Sequence, residues 1–351
     1  MLILTELLTI AIERNASDIH LISGYYPAFR INNELHAYET GGLLSGQQTQ
    51  NLVFSILSDE QRENLQANKE IDFGYEYGNH RFRINVYYVK NALAAAFRLI
   101  PPTIRTIDEL GLPSAFHKFA NVKQGLILLT GPTGEGKSTT LASIINEINL
   151  NQSRHIITIE DPIEYVYPAG KSYFSQRELH QDTFSWTIAL RSVLREDPDV
   201  VLVGEMRDYD TIQAVLTIAE TGHLVFSTLH TNSTPEAINR IIDVFPAHQQ
   251  NQVRSQLASV LYAVVSQRLL PNTENTGRVP AVEVLFNIPS VASIIREGKT
   301  FMLDNVLETE ERQDMILFEK YLTQLYEQGK ISKQTALTYA LRMNEIKKLL
   351  T

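Results

Sequence analysis

The stretch GPTGEGKST, Gly131–Thr139, fits G-x-x-x-x-G-K-[ST] at every defined position. Glycines at these positions let backbone N–H groups turn inward around a chain of phosphates. Lys137 sets a point charge against the β- and γ-phosphates, and the Ser138 hydroxyl can ligate Mg²⁺. Thr133, Gly134, Glu135, Gly136 and Thr139 complete the candidate ATP-binding loop. Glu135 falls where the backbone matters more than the side chain, so an acid is tolerable there if it faces solvent. The apolar run Gly125–Leu129 precedes the loop, and Leu141, Ile144, Ile145 and Ile148 follow at helical spacing. Strand, loop and helix thus occur in the order that aims a helix dipole at the phosphates.

Hydrolysis needs in addition a polarised water and a held metal. Two acidic strand ends supply candidates, placed where ligands gather in open parallel sheets. In HIITIEDPIEY, His155–Tyr165, the strand Ile156–Ile159 ends in Glu160-Asp161, Pro162 stops it, and Glu164 sits just beyond. In DPDVVLVGEMRD, Asp197–Asp208, the strand Val200–Val203 ends in Gly204-Glu205. Glycine stands where a metal-holding aspartate is more usual, which leaves contact between Glu205 and the metal either direct or indirect. A third strand, Leu224–Phe226, has His223 before it and His230 after it. A histidine in such a place serves either as a hydrogen-bonded structural group or as a γ-phosphate sensor, and His230 lies at the same kind of strand end as the two acids.

These residues need a scaffold. The first ~100 residues read as a mixed α/β module. An amphipathic helix leads, followed by strands Ile19–Ile22 and Ala28–Ile31 with turns at Gly24 and Asn32-Asn33. Gln47–Asn64 has helical spacing. Strands Ile71–Tyr77, Arg81–Tyr88 and Ala92–Leu99 follow, separated by turn residues at Gly78-Asn79 and Lys90-Asn91. Pro101-Pro102 makes a joint. From about Leu112 apolar strands alternate with helices, the pattern of a parallel sheet covered on both faces. The tail from about Pro289 is helix-rich, with Ser332 as N-cap of the last helix after a break at Gly329.

With 351 residues the chain is long enough for two cores, and its 44% hydrophobic and 20% charged content is that of a globular protein. No apolar run approaches the ~18 residues of a membrane span. Gly125–Leu129 and Ala258–Val265, the longest, read as a buried strand and a helix face. The N-terminus has neither a basic leader nor a small-residue cleavage site, so a cytoplasmic location is expected. The absence of cysteine removes disulfides, thiolate metal sites and thiol nucleophiles. A formal net charge of -9 speaks against direct nucleic-acid binding.

Taken in order, the loop Gly131–Thr139, the segment Ile159–Glu164, the strand end Asp197–Asp208 and the segment Thr221–Thr231 resemble the Walker A loop, Asp box, atypical Walker B and His box of the type II/IV secretion ATPase superfamily. ASDIHL, Ala16–Leu21, resembles the opening motif of that family's PAS-like N-terminal domain. The resemblance is good over Asp18–Lys299. IIREGK, Ile294–Lys299, resembles a motif of the type IV pilus retraction branch (the PilT family), and the following FMLDNVLETEERQDM departs from it.

The resemblance implies an α/β fold: a PAS-like N-terminal α/β domain followed by a RecA-like P-loop ATPase domain with a helical C-terminal tail. The expected spans are 1–100, a linker at 101–112, the ATPase core at 113–288 and the tail at 289–351. It implies an ATP- and Mg²⁺-dependent hydrolase working as a homo-hexamer. Glu164 and Glu205 would be the catalytic glutamates, either of them orienting the attacking water. His223 and His230 would be the His-box pair, with Ser138 and Glu205 at the metal. Arg83 in RFRINVY and Arg98 in AAFRLIP match the two N-terminal arginines that reach nucleotide, and Arg105 is a third candidate. The implied work is type IV pilus retraction on an inner-membrane platform protein, with a paralogous motor ATPase as a further partner and membrane association only through partners. A start directly at the PAS-like domain and the lack of a four-cysteine zinc element favour the retraction branch. Pilus-extension or type II secretion ATPases, a DNA-transport ATPase and a non-hydrolysing regulatory subunit remain alternatives.

Overall fold

In the computed structural model, residues 2–32, 34–101, 103–274, 276–309 and 314–350 are described. The second residue of the Asn32-Asn33 turn, the second proline of the 101–102 joint and residues 310–313 of the divergent tail stretch lie outside them. The chain divides into two units, Met1–Thr103 with Asp161–Val166, and Ile104–Glu160 with Tyr167–Thr351. The Asp161–Val166 segment, counted with the ATPase core from sequence, therefore packs with the N-terminal unit.

The N-terminal unit runs α1 (Leu4–Glu13), β1 (Asp18–Ile22), β2 (Ala28–Ile31), β3 (Glu34–Ala37), α2 (Gly46–Phe54), α3 (Asp59–Asn68), β4 (Glu70–Tyr77), β5 (His80–Val89) and β6 (Ala92–Ile100). Its six strands form one antiparallel sheet in the order β3-β2-β1-β6-β5-β4. Lys90 and Asn91 both take positive φ, 49° and 65°, in the tight β5–β6 turn. The expected helix Gln47–Asn64 is two helices, because Ser58 starts a second capping box with Gln61 just as Ser45 starts the first with Gln48. The sheet is sided. Phe29, Ile19, Phe97, Ile84 and Phe73 stand opposite one another across five strands and are all buried. The next residues along, Arg30, Asp18, Arg98, Arg83 and Gly74, form the matching row on the other face.

The second unit contains α4 (Phe116–Ala120), β7 (Gly125–Thr130), α5 (Lys137–Asn151), β8 (His155–Glu160), β9 (Tyr173–Glu178), α6 (Trp186–Val193), β10 (Val200–Val203), α7 (Tyr209–Glu220), β11 (Leu224–Leu229), α8 (Thr234–Asp243), α9 (Gln250–Val260), β12 (Leu261–Pro271) and β13 (Arg278–Phe286). Helices α10 (Pro289–Glu297), α11 (Leu303–Thr309), α12 (Phe318–Glu327), α13 (Lys333–Tyr339) and α14 (Met343–Leu349) follow. The sheet order is β13-β12-β7-β11-β10-β8-β9, all parallel except the β12–β13 pair. Every residue of β7, β10 and β11 is buried, as in a sheet covered on both faces.

Two expectations change here. Ala258–Val265 is the last turn of α9 and then the start of β12: its Val264-Val265 pair is buried between β7 and β13, where β-branched side chains pack well. Ser332 caps α13 as expected, but α14 follows it. The tail is pinned by a buried ion cluster. Arg342 donates to Glu283 at 2.8 Å and to Glu319 at 3.0 Å, both fully buried, and also pairs with Asp304. Burial would lower the Arg342 pKa, but the three carboxylates outweigh it and hold the guanidinium charged.

Candidate active site

Between β7 and α5 the loop Gly131–Gly136 passes against β12. At Gly131, φ is +143° and a Cβ would lie 2.4 Å from the Gln267 backbone oxygen, so no side chain fits. Gly136 takes the N-cap of α5 at φ 78°, with no side-chain cap, which leaves the first helical N–H groups for an anion. Lys137 is buried, with Nζ donating to the carbonyls of Gly131 at 2.6 Å and Pro132 at 2.9 Å. Thr133 and Gly134 are exposed, and Ser138 and Thr139 half-buried, on the loop and the first turn of α5.

Glu135 does not face open solvent. Its Oε2 accepts from the Leu269 N–H at 2.5 Å and its Oε1 lies 3.7 Å from Arg268. The Gln267 side chain donates to the Glu135 carbonyl at 2.7 Å and accepts from Thr140 at 2.9 Å, and Arg278 donates to the Gly134 carbonyl at 3.2 Å. Strands β12 and β13 therefore brace the phosphate loop from more than a hundred residues downstream. Sequence reading missed Gln267, Arg268 and Arg278, since no local motif marks them and only the strand order β13-β12-β7 brings them there.

Parallel pairing puts the other strand ends on the same edge. Leu229 is the partner of Thr130, so His230 and Gly131 each follow by one residue. Thr130 Oγ1 donates to the Thr231 carbonyl at 2.8 Å and accepts from its N–H at 2.9 Å, tying the loop's entrance to the segment after His230. Beyond β10, Gly204 N–H donates to the Ile159 carbonyl, and Thr228 Oγ1 donates to the Gly204 carbonyl at 2.7 Å. This turn presents Glu205, whose side chain is only 18% exposed. Its Oε1 pairs with Arg207 at 2.6 Å and its Oε2 with His230 Nε2 at 3.2 Å. Glu160, buried, ends β8 on this edge.

His223 is not there. It precedes β11, with its carbonyl bonded to the Gly125 N–H at the start of β7. Its Nδ1 lies 2.9 Å from Thr221 Oγ1 and 3.1 Å from the Ile218 carbonyl. A strand's rise separates it from His230 by roughly 20 Å. The His-box pair is thus split between the two edges of the sheet.

Glu164, Arg83 and Arg98 lie in the N-terminal unit. Arg83 and Arg98 are directly opposite on β5 and β6. Like charges so placed repel unless each has a partner. Arg83 gives Nε and a terminal nitrogen to Asp72, the latter at 2.6 Å, and its other terminal nitrogen lies 3.5 Å from Glu164. Burial lowers the Arg83 pKa, but the Asp72 bond and the charges of Asp72, Glu164 and Asp161 raise it further. Arg98 bonds Asp18 through Nε at 2.9 Å, and its side chain is 69% exposed. Arg105 is exposed.

Residues 1–348 match the family described as "Type II/IV secretion system protein". The chain is 45% identical over 335 residues to the "Twitching motility protein" of Neisseria gonorrhoeae, covering 95% of this chain and 89% of that one. It is 42% identical over 334 residues to the "Type IV pilus retractation ATPase PilT" of Pseudomonas aeruginosa, covering 95% and 96%. It superimposes with a TM-score of 0.91, at 44% identity, on the solved structure "Crystal Structure of the Pilus Retraction Motor PilT and Bound ADP", covering 99% of this chain and all of that one.

Proposed function

The chain belongs to the type II/IV secretion system protein family, and on that premise we propose that it is an ATP hydrolase driving type IV pilus retraction. The observation that carries the reading is an intact phosphate loop in a chain matching the P. aeruginosa retraction ATPase along nearly all of both. The loop amides and the uncapped start of α5 receive the phosphates, and Lys137 exchanges the Gly131 and Pro132 carbonyls for phosphate oxygens. Glu205, held between Arg207 and His230, is poised to orient the attacking water, and His230 links that carboxylate to the γ-phosphate. Glu164 is the second candidate for the water, and Arg83 and Arg98 supply positive charge from the N-terminal unit.

The donor set fits Mg²⁺, a hard cation that takes oxygen ligands and keeps several waters. Ser138 Oγ would hold it directly. Both Glu205 oxygens already have cationic or imidazole partners, which suits a contact through water. When bound, the ion neutralises charge on the transferred phosphoryl group.

Retraction implies a homo-hexameric ring acting at the cytoplasmic face of the inner membrane on a platform protein, with a paralogous motor as a further partner. No helix among the described residues is long and apolar enough to cross a membrane, which suits attachment through that partner. A pilus-extension or secretion ATPase would share this chemistry with the opposite mechanical sign, and a DNA-transport ATPase would add a nucleic-acid partner. Deleting the gene and counting surface pili separates them. Over-piliated cells that fail to retract, restored by the wild-type chain and not by Lys137→Ala, are expected. Bald cells would assign assembly instead, and unchanged pili would overturn the pilus reading.

A further inference from the structure

Strand β12 outruns its neighbour β7. Their ladder ends at Ser266 and Thr130, and β12 continues to Pro271. The phosphate loop lies along this overrun, and Glu135 does for Leu269 what a longer β7 would. Its carboxylate accepts from the Leu269 N–H at 2.5 Å, and its own carbonyl accepts from the Gln267 side chain at 2.7 Å. A backbone N–H beyond the end of a ladder needs an acceptor, and a carboxylate makes the bond a strong one. The same carboxylate puts a full negative charge on a loop whose ligand is itself anionic. The cation that meets it is Arg268, the residue between Gln267 and Leu269. One terminal nitrogen of Arg268 lies 3.7 Å from Glu135 Oε1, and the other donates to Asn232 Oδ1 at 2.8 Å. Both side chains of the ion pair are less than a fifth exposed, so salt screens them little. Arg278 donates to the Gly134 carbonyl instead of the carboxylate. Asn232 stands two residues after His230, and its carbonyl accepts from Ser266 at 2.9 Å.

Resting on the proposed ATPase reading, we infer that Glu135 and Arg268 form a charge-neutral brace. Glu135 laces the phosphate loop to β12, and Arg268 is a positioning residue that cancels the charge Glu135 would otherwise set against nucleotide phosphates. Its second nitrogen carries the brace on to Asn232, so the loop and the segment after His230 share one guanidinium. Arginine suits this place because its planar fork serves two acceptors in fixed directions. The brace makes a specific demand. Removing the cation is harmful because the carboxylate remains, so removing the charge of the carboxylate as well should repair nucleotide binding. An arginine that touched the nucleotide, or merely held up the fold, would show no such repair.

Nucleotide affinity of the full-length chain tests the brace, read as KM for ATP and directly as Kd for ADP. Arg268→Ala should raise both about tenfold, because the Glu135 charge is left uncompensated beside the phosphates. Adding Glu135→Gln should bring both back to within about threefold of wild type, since the amide oxygen still accepts from Leu269 while the charge is gone. Glu135→Gln alone should bind nucleotide at least as tightly as wild type. If Arg268→Ala fails to fold, Arg268→Gln makes the same charge change with a side chain that can still donate to Asn232. A loss of affinity that Glu135→Gln does not repair would overturn the inference, as would unaltered affinity in the Arg268 variants. A wild-type chain that binds ADP but does not hydrolyse ATP would sink the ATPase reading alone, with the ADP affinities still deciding the brace.

Discussion

The two sheets present their candidate site residues in different ways. In the second unit β7, β10 and β11 are buried along their whole length, so no mid-strand position can carry a solvent-facing charge. The candidate site residues are confined to the strand ends, where Gly131 and His230 directly follow the last ladder residues and Glu205 comes one residue later. In the N-terminal unit β5 alternates buried and half-buried residues, and Arg83 and Arg98 sit mid-ladder on the face opposite the core row. A doubly covered sheet separates stability from chemistry along the strand. A sided sheet separates them across its thickness, residue by residue.

Stability measurements can break this contrast directly. Phe97→Ala should cost about 3–5 kcal/mol, since the ring is fully buried in the N-terminal core. Its neighbour Arg98→Ala should cost under about 1 kcal/mol, because the guanidinium stands mostly in water and the buried Asp18 keeps Ser17 and Arg30 as partners. In β7 the neighbours Leu126 and Ile127 are both fully buried, and either alanine should cost about 2–5 kcal/mol. Denaturant unfolding of the four variants gives the comparison. Equal losses for Phe97 and Arg98, or a large gap between Leu126 and Ile127, would show that the two sheets do not differ as described.

At the strand ends the effect should be chemical. Glu205→Gln keeps the shape of the side chain but removes the charge between Arg207 and His230. ATP should still bind, with turnover at least about 100-fold lower, roughly 3 kcal/mol of transition-state stabilisation. Single-turnover hydrolysis with nucleotide affinity measured alongside separates the two. Turnover near wild type would leave Glu164 as the residue that handles the water.

The same contrast explains what could be read from sequence. End-of-strand chemistry is contiguous in the chain: the loop from Gly131 to Ser138, Gly204-Glu205 and the residue after Leu229 are each local patterns with a strand beside them. Face chemistry is scattered. Arg83 and Arg98 were singled out through the resemblance, but their separate anchors were not, because Asp18 and Asp72 reach them only through antiparallel register. Gln267, Arg268 and Arg278 were invisible for a similar reason, since the placement of β12 beside β7 is a fact of topology. The single helix expected over Gln47–Asn64 missed a cue that was present, the second S-x-x-Q at Ser58. Ala258–Val265 gave no such cue, because a short apolar run has no period that tells a helix end from a buried strand.

The smallest effect belongs to His223, and it tests the edge assignment most closely. Its Nδ1 lies beside Thr221 Oγ1 and the Ile218 carbonyl, and its own carbonyl caps the start of β7 through Gly125. Replacing the imidazole by alanine removes side-chain hydrogen bonds from the α7–β11 turn, a loss of about 1 kcal/mol and a drop in Tm of a few degrees. KM for ATP should stay within about twofold of wild type, because the histidine lies at the opposite edge of the sheet from the phosphate loop. A rise in KM with an unchanged Tm would place His223 at a nucleotide. Since the loop of its own chain is a strand's length away, that nucleotide would have to be bound by another copy, and His223 would report on contact between copies, not on the site beside it.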